Sequence, residues 1–209
     1  MPLRTFLLKG SWMLSIPLID SIYLLLNHSD ENVYMLVTHF DKIIPFKQLF
    51  VVPYIAWFGL IFVVLIWFMY RDIKLYIFSI VSIILGLLIS FIIFSLFQTT
   101  VPRPEILGDD IFSQLTKLIY TIDNPFNAFP SIHVLTSYII FLGCQRTKGR
   151  FPKISLAIQG VVILVILATL FLKQHTILDV LGGLILGGSL FKTVHWFENT
   201  FYNKSKKII

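Results

Sequence analysis

Lys173-Gln174-His175-Thr176-Ile177-Leu178-Asp179 heads the last long apolar run of the chain. His175 and Asp179 are four residues apart, so on a helix they share a face, one turn apart. One ring nitrogen of such a histidine is free to attack while the other donates to the carboxylate behind it. The alternative is a structural His–Asp hydrogen bond between packed helices. Lys173 adds positive charge beside the histidine; its plainer role is an interfacial anchor. Val101-Pro102-Arg103-Pro104 holds an arginine in a stiff, extended segment. That suits bidentate phosphate binding, and equally a contact with lipid headgroups. Phe129-Pro130-Ser131-Ile132-His133 reads as a helix start with Pro130 as its first residue. Its backbone N–H groups would face an anion, Ser131 would add a hydroxyl donor, and His133 would stand as a general acid for the leaving group. A lone histidine at a helix start is otherwise a cap or a polar contact.

Together, a cation, a helix N-terminus, a nucleophilic histidine, its carboxylate and a second histidine call for phosphoryl chemistry. A metal held by His133, His175 and Asp179 is a competing use of the same side chains. Asp179 is better placed as partner to His175 than as a ligand, so neither metal nor cofactor is expected. His28, His39 and His195 have no comparable neighbours in sequence and read as structural. The single cysteine, Cys144, excludes an internal disulfide and any multi-cysteine metal site.

The elements that must position these residues are membrane helices. Of the 209 residues, 56% are hydrophobic and 13% charged, and mean hydropathy is +0.84. Apolar runs of about 20 residues recur, the length that crosses a bilayer. The expected fold is all-α: one domain over 1–209, a polytopic bundle of about six spans with short interfacial helices in the external loops. The spans read as Gly10–Leu26, Leu49–Tyr70, Leu75–Phe97, Pro130–Cys144, Ile154–Leu172 and the run after Lys173-Gln174. The first contains Pro17 and Asp20, so Asp20 should face the bundle interior or mark a bend. Basic residues precede it without a clear small-residue cleavage site, which reads as a retained span. Val33, Leu36, Val37, Phe40 and Ile44 recur at helical spacing and predict a short interfacial helix; Ile111–Tyr120 predicts another. Gly183 and Gly187 form a GxxxG pair suited to close helix contact.

The net charge of +6 does not indicate nucleic acid, because the basic residues collect in short loops between spans. Placing both termini, the 71–74 turn and the 145–153 loop in the cytoplasm puts twelve Lys and Arg inside. Lys42, Lys47, Arg103, Lys117 and Lys173 remain outside, as the positive-inside rule requires. Arg103 and His133 then flank one external segment, and two crossings separate His133 from His175. All three are expected at one external rim of the bundle.

Arg103-Pro104, Pro130-Ser131-Ile132-His133 and His175-x-x-x-Asp179 resemble the three signature motifs of the type-2 phosphatidic acid phosphatase superfamily. That superfamily includes bacterial acid phosphatases, vanadium haloperoxidases and, more distantly, inositol phosphorylceramide and sphingomyelin synthases. The resemblance runs from about Leu96 to Gly183. It implies that His175 attacks phosphorus, Asp179 orients it, and His133 protonates the leaving oxygen. Arg103 and Ser131 would hold phosphoryl oxygens. The family's lysine seven residues before the arginine is Leu96 here, and its Ser-Arg seven and six residues before the histidine is Ala168-Thr169. Ile132 replaces the usual glycine. Two cationic clamps are thus missing, and Lys173 is placed to stand in for one. The expectation is a metal-independent enzyme of the plasma or inner membrane, hydrolysing a lipid phosphate of the phosphatidate or polyprenyl (pyro)phosphate type. A lipid headgroup phosphotransferase is the nearest alternative; a non-catalytic transporter or scaffold with a relic site is the other.

Overall fold

A computed structural model describes residues 10–28 and 32–205. Among these residues eight α-helices account for nearly all regular structure: α1 Ser15–Leu26, α2 His39–Ile43, α3 Val51–Arg71, α4 Ile73–Leu96, α5 Ile111–Ile122, α6 Ile132–Thr147, α7 Pro152–Phe171 and α8 Ile177–Ser205. Four apolar segments are long enough to cross a membrane: Gln48–Arg71, Ile73–Leu96, Pro152–Phe171 and Ile177–Phe197. Ser11–Leu26 is a shorter apolar helix, and α6 has 16 residues. Four helices are therefore candidate spans by length and composition, against six spans expected. Of the basic residues used to orient the chain, Arg4, Lys9, Lys206 and Lys207 lie outside the described residues.

Local chemistry explains the boundaries. Pro17 falls in the first turn of α1, where backbone N–H groups have no intrahelical acceptor, and a 3-10 turn at Ser11–Leu14 precedes it. Asp72 separates α3 from α4: its N–H closes the first helix on the Phe68 carbonyl, and its carboxylate accepts from Lys74 and Leu75 N–H. Asp110 caps α5 in the same way, so the helix expected over 111–120 forms. The helix expected over 33–44 forms only at its end. Tyr34–Met35 (β1) instead pairs in parallel with Thr99–Thr100 (β2), and α2 starts behind a capping box between Thr38 and Asp41. Pro130 does not open α6. It follows a cis peptide bond, and Ser131 is the N-cap, with its hydroxyl oxygen accepting from Val134 N–H at 3.3 Å.

Helix α6 is central, packing on α8, α7, α4 and α3. Leu135, Ile139 and Ile140 are fully buried among Leu65, Phe68, Ile80, Ile83, Val162 and Val165. The α6–α8 contact is close because of the glycine pair. A Cβ on Gly183 would stand 2.7 Å from the Ser131 carbonyl oxygen, and one on Gly187 would stand 2.9 Å from that of Leu135. Neither obstacle is a side chain able to swing away. Gly183→Val is expected to lower stability by about 1–3 kcal/mol, the usual cost of overpacking, read as a fall in the thermal unfolding midpoint in detergent. Gly59→Ala, where nothing lies within 4 Å of the added Cβ, is expected to leave that midpoint unchanged or higher.

Candidate active site

Three segments distant in sequence meet above α6: the loop carrying Arg103, the start of α6 with His133, and the turn between α7 and α8 with His175. They line one cavity of about 160 Å³, together with Tyr23, Tyr54, Trp57, Asp123, Ala128 and Gln174. His175 Nε2 and His133 Nδ1 are 3.5 Å apart.

His175 is not on a helix. The chain leaves α7 through Lys173, whose φ of 53° is left-handed, and the N–H groups of Gln174 and His175 both donate to the Thr169 carbonyl. Helix α8 begins only at Ile177. The His175 ring is fixed by its Nδ1, 3.0 Å from the Ala128 carbonyl oxygen. A carbonyl only accepts, so Nδ1 carries the proton and Nε2 presents its lone pair to the cavity.

Asp179 therefore differs from its expected place. Its Oδ2 accepts from Thr176 N–H at 2.6 Å, and its own N–H donates to Thr176 Oγ1 at 3.4 Å. This reciprocal pair caps α8. The same Oδ2 stands 3.8 Å from His175 Nδ1, and the carboxyl is 1% exposed. Asp179 acts on the imidazole as a near charge, while the direct hydrogen bond comes from Ala128.

His133 is held by ring contacts with Tyr54 and Trp57, at centroid distances of 4.7 and 4.3 Å. Trp57 is itself pinned by its indole N–H on Thr136 Oγ1 at 3.0 Å. Arg103 lies over the Tyr120 ring, 4.4 Å from its centroid. Its Nη1 donates to the carbonyls of Tyr120 and Asp123 at 3.2 and 2.6 Å, and its Nη2 donates to Gln174 Oε1. Burial pulls its pKa below the ordinary arginine value, and the nearby Asp123 carboxylate opposes that shift. Asp123 Oδ1 is occupied by Tyr23 Oη at 2.7 Å and Asn27 Nδ2 at 3.0 Å.

The remaining expected residues take other positions. Ser131 is fully buried as the α6 cap and does not line the cavity. Lys173 Nζ donates to the carbonyls of Asp41 and Ile44 at 2.7 and 2.6 Å. It lines a second hollow of about 360 Å³ that shares Arg103 and His175 with the first. Leu96 is 82% exposed at the end of α4, whereas Ala168 and Thr169 are fully buried in α7. Among the described residues no group of three or more His, Cys, Asp or Glu converges as metal ligands.

Several contributors escaped the sequence reading. The Ala128 carbonyl carries no side-chain signal. Asp41 does: Thr38-x-x-Asp41 is a capping box, and its Oδ1 also accepts from Ile177 N–H at 2.8 Å, tying α2 to the start of α8. Tyr54 and Trp57, three apart at the start of an apolar run, share a helix face that sequence alone does not aim at His133.

A family model, the PAP2 superfamily, matches residues 75–202. The match covers α4 to α8 with Arg103, His133, His175 and Asp179, and leaves out α1, Asp41, Tyr54 and Trp57. No curated protein and no solved structure matches the chain.

The capping role of Asp179 separates two substitutions. Asp179→Ala removes the acceptor for Thr176 N–H and is expected to cost about 1 kcal/mol of stability, within the usual range for lost caps. Asp179→Asn keeps an acceptor oxygen and is expected to unfold close to wild type. Thermal unfolding of the two variants side by side checks this.

Proposed function

The chain belongs to the PAP2 superfamily, and on that premise we propose that it is a membrane phosphoesterase removing phosphate from a lipid phosphate through a phosphohistidine intermediate. The observation that carries the lipid part is continuity. The cavity holding both imidazoles shares Asp20, Tyr23, Leu24, Trp57, Phe58 and Ile132 with a groove of about 310 Å³ between α1 and α3. That groove runs along Ile16, Pro17, Ile61, Phe62 and Leu87. A phosphate at His175 can thus remain attached to a hydrocarbon chain in apolar surroundings.

In the proposed reaction His175 Nε2 attacks phosphorus, forming an N–P bond as the bond to the lipid oxygen breaks. His133 gives that oxygen its proton, and the lipid leaves as an alcohol. Nδ1 keeps its proton on Ala128, so the ring becomes cationic, and the Asp179 carboxylate stabilises that charge. Neutral His133 then takes a proton from water, whose oxygen attacks phosphorus. The N–P bond breaks and phosphate is released. In-line displacement requires nucleophile and leaving oxygen on opposite sides of phosphorus. The imidazoles at 3.5 Å must therefore part as substrate enters between them, a common relation between free and occupied sites.

Transfer of the phosphoryl-bearing group to an alcohol is the second reading. It is favoured by the second hollow, which reaches Arg103 and His175 from another side and has room for an acceptor. Products formed with and without added diacylglycerol separate the two.

The proposed arrangement has six crossings, with Ser11–Leu26 and α6 as the short ones, both termini cytoplasmic and the site at the external face of the cell membrane. In a Cys144→Ser background, a cysteine at Asp109 is expected to react with an impermeant maleimide on intact cells. One at Lys148 is expected to react only after permeabilisation. The reverse pattern overturns the orientation.

The central test is His175→Ala. Phosphate release from a panel of lipid phosphates, phosphatidate and undecaprenyl pyrophosphate among them, is expected to fall by at least 10³-fold, in line with loss of a covalent nucleophile, with an unchanged unfolding midpoint. Full activity in this folded variant ends the proposal.

A further inference from the structure

Gln174 stands between the arginine and the nucleophile with half of its side chain spoken for. Its Oε1 accepts from Arg103 Nη2. A guanidinium has no acceptor, so the oxygen must face it and the amide NH₂ must face away. The residue is 4% exposed and lines the cavity with Arg103, His133 and His175. Its Nε2 is buried and has no partner among the described residues, and the same holds for Arg103 Nε. Two buried, unsatisfied donors on one wall are unusual, because each forfeits its hydration without return. Both belong to neighbouring side chains bonded to each other, and both residues line the cavity into which Nε2 of His175 presents its lone pair. The ligand chemistry this fits is an oxyanion with at least two acceptor oxygens.

Resting on the phosphohistidine reading, we propose that the Gln174 carboxamide is a catalytic donor: with Arg103 Nε it hydrogen-bonds the non-bridging oxygens of the phosphoryl group that His175 attacks. The backbone supports this assignment. Gln174 N–H is fixed on the Thr169 carbonyl at 3.0 Å, and His175 N–H shares the same acceptor at 3.1 Å, so donor and nucleophile ride on one rigid turn. Lys173, the residue before them, points its ammonium at the carbonyls of Asp41 and Ile44. The neutral amide thus occupies the place beside the nucleophile where charge composition alone would put the lysine. A preorganised donor of this kind contributes most when oxygen charge rearranges in the transition state.

The test uses orthovanadate, which takes up the five-coordinate geometry of a phosphoryl group in transfer, on the full-length protein in lipid nanodiscs. Binding is followed by ⁵¹V NMR. Wild type is expected to bind and His175→Ala to lose binding. Gln174→Glu keeps an acceptor for Arg103 and removes the NH₂ donor; Gln174→Met removes both and stays neutral. Each is expected to bind vanadate about 10- to 100-fold more weakly, the range for one hydrogen bond to a charged group, with an unfolding midpoint like that of wild type. If Gln174 merely positioned Arg103, Gln174→Met would weaken binding in the wild-type background and cost nothing further in an Arg103→Met background, and that result overturns the proposal; a direct donor weakens binding in both. Wild-type binding that is lost in His175→Ala but equal in both Gln174 variants also overturns it, while leaving the phosphohistidine reading intact. Absence of binding in wild type, or undiminished binding in His175→Ala, overturns that reading and this inference with it.

Discussion

The contact between His175 Nδ1 and the Ala128 carbonyl decides what the site can do. It selects one tautomer of an imidazole that would otherwise present either nitrogen, and leaves Nε2 as the basic atom of that ring, turned to the cavity. Much of the fold serves to hold the two ends of that bond at 3.0 Å. On one side Ala128 is bonded to Thr99 at the mini-sheet. It follows Asn127, whose φ of 57° is left-handed and whose amide is tied to Leu26 and Gln98. On the other side the His175 turn opens with Lys173, also left-handed, and closes on Thr169. A left-handed conformation at a non-glycine residue costs roughly 1–2 kcal/mol, and it occurs within two residues of both partners. Such strain persists only where surrounding contacts over-determine it, and here they do.

The same logic extends outward through helix ends. Asp179 and Thr176 cap α8, Asp41 reaches across from α2 to the Ile177 N–H, and Ser131 caps α6 while its own N–H donates to the Asp179 carbonyl at 3.1 Å. Helices α6 and α8, which carry one histidine and follow the other, are thus joined at their first turns. The glycines of α8 let that junction close onto backbone. A distance of 3.5 Å between the imidazoles depends on this close packing, since a side chain at Gly183 would push Ser131, and His133 with it, off α8.

How much of this was legible in the sequence follows from which interactions have side-chain signatures. Helices with apolar runs and the GxxxG pair were readable because each is a local pattern with a local cause. Counting six crossings put Arg103, His133 and His175 at one rim, and the three do line one cavity. Asp179 does approach His175, at 3.8 Å, but not across a shared helix face, because four-residue spacing implies one only if both residues are helical and the chain turns between His175 and Ile177. The hydrogen bond on Nδ1 is instead accepted by a backbone carbonyl, which every residue type carries alike. Residues 33–44 misled for a related reason: their helical spacing was real, but Tyr34-Met35 found open backbone groups at Thr99-Thr100, and sheet pairing satisfied them first.

A site for a phosphoryl group must bring positive charge into a place poor in water without letting it be neutralised in advance. A carboxylate beside the guanidinium would anchor it firmly and cancel the field that an incoming anion needs. Both cations here are held by another device. Arg103 donates to the carbonyls of Tyr120 and Asp123 and to a neutral amide, and lies on the Tyr120 ring. Lys173 donates to two carbonyls. Dipoles fix the position of a charge while leaving its sign uncompensated. The carboxylate of Asp123, the one acid close enough to shift the arginine, is meanwhile drawn onto the Tyr23 hydroxyl and the Asn27 amide. Asp123 is thus engaged by neutral donors and the cation of the cavity wall by neutral acceptors, so neither is spent on the other.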